Sequence, residues 1–76
     1  MYFYQLIKEE FFHEDIGRYT SFGIRVIYAT YGVYCELMRI SDISADKERV
    51  LSLADLCTKS QLSPIHIFDV VSDSFQ

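Results

Sequence analysis

Proline occurs once in this chain, glycine three times and tryptophan not at all, and cysteine is limited to Cys35 and Cys57. Each scarcity excludes something. Three glycines, two of them at positions that read as turns, leave no glycine-rich loop to cradle a phosphate, and neither a nucleophile elbow nor a dinucleotide fingerprint occurs. Two cysteines, one in a predicted strand and one in a predicted helix, make no disulfide framework and read as small buried hydrophobes. Cys-x-x-Cys and His-x-x-x-His pairs are absent, so a zinc site drawn from His13, Cys35, Cys57 and His66 has no local signature. Basic residues nowhere form a patch, which excludes direct nucleic-acid binding through neutralised phosphates. No stretch reaches the roughly 18 uncharged apolar residues of a membrane span. Charges also interrupt MYFYQLIKEEFF before a signal-peptide core is complete, so the expected location is cytoplasmic. No cofactor is expected.

What is present is apolar and aromatic. Half of the 76 residues are hydrophobic, with six Tyr and six Phe, and the net charge is -4. A chain of this length forms one domain and buries only about 60% of the surface it exposes when unfolded. So rich a composition on so small a core predicts apolar surface that a second chain covers.

Periodicity divides the chain into a strand-rich front and a helical back. Residues 2–12 alternate imperfectly and read as a first strand, and HEDIG supplies a turn in which Gly17 takes positive φ. The second strand is the clearest, with Phe22, Ile24, Val26 and Tyr28 on one face and Ser21, Gly23 and Arg25 on the other. ATYG reverses the chain at Gly32. In the third strand Val33, Cys35 and Leu37 alternate with Tyr34, Glu36, Met38 and Ile40, and neither face is plainly polar.

The period changes at ISADKERV. Ser44 or Asp46 can cap a helix running to about Lys59, with Val50, Leu53, Ala54 and Cys57 as its apolar stripe and Glu48, Ser52, Asp55 and Lys59 opposite. A second helix starts in SPIHIFDVVSD, where Ser63 is the N-cap, Pro64 the first helical residue, and Leu62 staples onto Ile67. Ile67, Phe68, Val71 and Phe75 form its apolar side, leaving His66, Asp69 and Asp73 on the wet side.

Strands followed by helices predict an α+β fold, a three-stranded antiparallel sheet with both helices on one face. The uncovered face then carries apolar side chains in either register, which predicts a homodimer formed through that face or through edge pairing of a strand. Tyr28, Tyr31 and Tyr34, together with Met38, are the candidate partner-binding residues, because tyrosine gives large contact area at little conformational cost. His66, Asp69 and Asp73 are the candidate contacts on the helical side. The same trio offers one imidazole and two carboxylates, so a small metal-binding protein using His66 and Asp69 is an alternative reading.

The segments TSFGIRV, ISADKERV and LSPIHIFDVVSDSF make the chain resemble a family of small uncharacterised proteins of clostridia and related Firmicutes, a domain of unknown function. Its most specific piece, Ser-Pro-x-His-hydrophobic-x-Asp-Val-Val, is matched by Ser63, Pro64, His66, Asp69, Val70 and Val71. Where the family's members carry further acidic residues, Ser72 and Ser74 flank Asp73 here. The resemblance implies a fold and a bacterial or phage setting, and brings no chemistry with it. Function is therefore expected to be non-enzymatic protein binding. A second possibility is a phage or mobile-element inhibitor, anti-CRISPR-like, whose acidic surface occupies a host enzyme's nucleic-acid groove.

Overall fold

The computed structural model describes residues 1–75. Strands β1 (Tyr2–His13), β2 (Gly17–Thr30) and β3 (Val33–Ser44) form an antiparallel sheet in the order β1-β2-β3. Helix α1 (Lys47–Lys59), a 3-10 turn (Pro64–His66) and helix α2 (Ile67–Phe75) follow. The predicted α+β fold is the observed one.

Both hairpins turn where the sequence places them. Gly17 takes φ 77 at the end of the first turn, and Tyr31 and Gly32 take φ 48 and 78 in the second. Two left-handed central residues make the second connection a type I′ turn, whose twist matches that of the strands it joins.

One sheet face and both helices enclose the core. Tyr4, Phe22, Ile24 and Val26 meet Val50, Leu53, Ala54 and Cys57 of α1 and Ile67 of α2. The buried stripe of α1 is the one its period dictates. Asp46, not Ser44, caps this helix: its carboxylate accepts from the Arg49 N–H at 3.3 Å. Ser44 still ends β3, and its hydroxyl accepts the Asp46 N–H at 3.0 Å, one step before the helix begins.

The entry to α2 departs from the expectation in two ways. Ser63 has the extended backbone of an N-cap and Pro64 follows at the first position, but the Ser63 side chain makes no cap bond. Its carbonyl instead accepts from His66 N–H at 3.0 Å, closing a 3-10 turn. Phe68, expected inward, is 59% exposed. The inward stripe falls on Ile67, Val70, Val71 and Phe75, and Phe68 lies at its margin, about a quarter-turn from Ile67 and on the side of Phe75. Arg49 ties the end of α2 to α1 by donating to the Ser74 carbonyl at 2.6 Å and lying 4.6 Å from the centre of the Phe75 ring.

Strand β3 is irregular where it passes β2. Val26 pairs with Met38 but Ile27 with Glu36, so Leu37 is an extra residue, a bulge. A second irregularity lies between the Ile24–Ile40 and Phe22–Ser44 pairs, where Asp42 has φ 54. Glu9 reaches across β2 to hold it, accepting from the Asp42 N–H at 3.0 Å and from the Ser41 hydroxyl at 2.8 Å. Only glycine fits at position 23 beneath that carboxylate, because a Cβ there would collide with the Ile40 carbonyl oxygen.

Candidate interaction surface

Alternation assigns the side chains of β1 and β2 to faces. Tyr4 and Leu6 on β1 and Ile24 and Val26 on β2 point at the helices, so Phe3, Gln5, Ile7, Glu9 and Phe11, and likewise Tyr19, Arg25 and Ile27, lie on the uncovered face. The bulge at Leu37 changes the parity of β3. Met38 and Ile40 share the helix-covered side with Val26 and Ile24, whereas Glu36 and Tyr34 share the open side with Ile27 and Ala29.

Two of the candidate residues therefore sit elsewhere than on the open face. Met38 is half-buried and packs on the core, because the extra residue turns it inward. Tyr28 also lies on the helix side of the sheet, paired with Tyr2 and with its ring 5.3 Å from that ring. Tyr34 is on the open face and 70% exposed, and Tyr31 projects fully into solvent from the turn. The three tyrosines thus share one end of the molecule but not one surface.

The open face is neither greasy throughout nor uniformly polar. Arg25 donates through Nε to Gln5 Oε1 at 2.9 Å, and Arg39 donates through Nε to Glu36 Oε1 at 2.8 Å. Arg25 Nη1 lies 3.9 Å from the same Glu36 oxygen. Glu36 therefore stands between two arginines that are paired directly across β2 and β3, a like-charge juxtaposition it offsets. Its hydrogen bond holds the Arg39 guanidinium more firmly charged. On one side of this polar belt lie Phe3, Ile27 and Tyr34. On the other, Phe11 stacks on Tyr19 with ring centres 5.4 Å apart. The Tyr19 hydroxyl donates to Asp42 Oδ2 at 3.3 Å, and desolvation followed by the Asp42 charge pushes its pKa up.

The two margins of the sheet are finished differently. On β1 the Gln61 side chain accepts from Tyr2 N–H at 2.8 Å and donates to Tyr2 O at 2.9 Å. The Thr58 hydroxyl accepts from Tyr4 N–H at 2.9 Å, and its single proton is shared between the Ala54 carbonyl at 3.0 Å and the Tyr4 carbonyl at 3.3 Å. One side chain from the last turn of α1 and one from just beyond its end thus occupy, beside Tyr2 and Tyr4, the places of a fourth strand. Among the described residues the β3 margin has no counterpart of this seal.

His66, Asp69 and Asp73 are all exposed on the outer side of the helices. Among the described residues no three His, Cys, Asp or Glu side chains gather within metal-ligating range. Of the cysteines, Cys57 is buried, as expected, with its thiol pushed up by burial, but Cys35 is exposed because β3 runs out past the helical cover. Arg25, Arg39 and Glu36 were not candidates from the sequence. Seeing Glu36 and Arg39 as neighbours requires the bulge, and the only trace of that in the sequence is a third strand with no polar face.

An α+β domain with one helix-covered face and one open face is the class this architecture defines. The chain belongs to the family of unknown function DUF6514, which matches residues 1–76. Neither the curated proteins nor the solved structures give a match. Among the described residues no helix is long and apolar enough to cross a membrane.

Proposed function

We propose that this chain is a non-enzymatic protein-binding module that associates with a second copy of itself, in a cytoplasmic setting in a bacterium or its phage. One observation carries the reading. Both helices are used up on a single sheet face, and the strand that runs out beyond them leaves Val33, Tyr34 and Leu37 in solvent beside the fully exposed Tyr31. Large apolar and aromatic groups concentrated in this way mark interaction sites. The test is molar mass by light scattering across a dilution series. A dimer at high micromolar concentration that dissociates on dilution is expected; a monomer throughout overturns the proposal.

The second reading, an inhibitor that covers a basic nucleic-acid groove, draws on the outward carboxylates Glu48 and Asp55 of α1 and Asp69 and Asp73 of α2, all exposed. It requires binding to a basic partner that weakens steeply with added salt. Salt-insensitive binding, or none, removes it.

A further inference from the structure

The margins of the sheet differ in how open they are to another strand. Past the positions sealed by Thr58 and Gln61, β1 carries Lys8, Glu9 and Glu10 in succession, the kind of charged run that discourages edge pairing. From Val33 to Met38, β3 carries a single charge, Glu36, among residues of high strand propensity. Most of this stretch is exposed.

We infer that a second copy of this chain pairs antiparallel with β3, about a twofold axis between Leu37 and Met38, joining two three-stranded sheets into one of six. The inference rests on the self-association proposed above and says which surface makes it. Charge fixes the register. Because of the bulge, Glu36 and Arg39 share the open face, with Nε and Oε1 2.8 Å apart. Residues directly opposite in an antiparallel pair also share a face. About this axis Glu36 falls opposite the second copy's Arg39, and Arg39 opposite the second copy's Glu36. Each carboxylate then lies between its own guanidinium and the other copy's, and the four charges close a ring. Axes through Glu36 or through Arg39 would instead set like charges against each other, which is destabilising. A twofold interface demands this reciprocity, in which a residue's partner is also its image's partner.

Two charge reversals, Glu36→Arg and Arg39→Glu, test the register. Each variant alone faces its own kind across the axis, and its dimer dissociation constant should rise by at least about tenfold. Mixing the two in equal amounts restores opposite charges at both positions across the axis, while neither chain regains its internal Glu36–Arg39 pair. The mixture should therefore return to a dimer, which a merely structural role for that pair does not predict. If either variant dimerises as the native chain does, or the mixture stays monomeric, the β3 pairing is overturned and self-association must use another surface. A native chain that is monomeric throughout removes both proposals. Should a reversal abolish folding by circular dichroism, amide exchange on the native chain decides: between Tyr34 and Arg39 it should slow as concentration rises into the dimer range. Exchange there that is unchanged in the dimer also overturns the pairing.

Discussion

Gly23 has no room for a side chain. It lies in the middle of the central strand, where glycine normally weakens a sheet, yet the Ile40 carbonyl and the Glu9 carboxylate approach it so closely that no side chain fits. Gly23→Ala should cost about 1–3 kcal/mol, the usual penalty of overpacking, and loosen the Glu9 bonds to Ser41 and Asp42. Denaturant unfolding measures it, and an unchanged midpoint would contradict the close approach. Tyr4 offers a second measurement. Its buried hydroxyl donates to the Leu62 carbonyl, and burial, then Cys57 and Tyr2, push its pKa up from 10.0 to about 12. The folded state thus holds this proton more tightly than the unfolded one. The stability involved is fully present below pH 10 and lost as pH rises through about 12. Tyr4→Phe should cost about 1 kcal/mol near neutrality for the lost hydrogen bond and flatten the alkaline decline. Parallel slopes for the two proteins between pH 10 and 12 would argue against it.

At the scale of elements, the sequence was most legible where period and punctuation agreed. Gly17 and Gly32 marked the turns, Val50, Leu53, Ala54 and Cys57 marked the buried side of α1, and Phe22, Ile24 and Val26 marked the covered face of β2. Strand β3 was the hard case. One extra residue at Leu37 exchanges its faces, so Met38 goes inward and Glu36 goes outward, and no local rule announces a bulge inside an apolar run. The seal on β1 was equally hidden, since Thr58 and Gln61 acquire that role only once α1 lies against the strand. The β2–β3 turn carries a prediction of its own. Tyr31 holds φ 48, a left-handed conformation that asparagine and glycine adopt more readily, and its ring is fully in solvent. Tyr31→Asn should raise stability by up to about 1 kcal/mol, read as a higher melting temperature. A loss would mean that the exposed ring makes contacts worth more than the backbone relief.

Taken whole, the molecule is a long twisted ribbon, 46 × 25 × 19 Å, with its helices clasped to part of one side. Its core is correspondingly thin, and under the self-association proposed above a second copy covering the remaining apolar surface would contribute to holding the fold. The melting temperature should therefore rise with protein concentration, since association draws on the folded state alone. Calorimetry over a hundredfold dilution checks this, and a constant value would mean that the subunit is self-sufficient.

The stopper that Thr58 and Gln61 place against Tyr2 and Tyr4 has a consequence for growth. Strand addition at two free borders propagates without limit, which is how fibrils arise. With β1 blocked at Tyr2 and Tyr4 and guarded by Lys8, Glu9 and Glu10, the inferred joining at β3 would use up the border left open among the described residues. An assembly built in this manner is finite and ends at a pair.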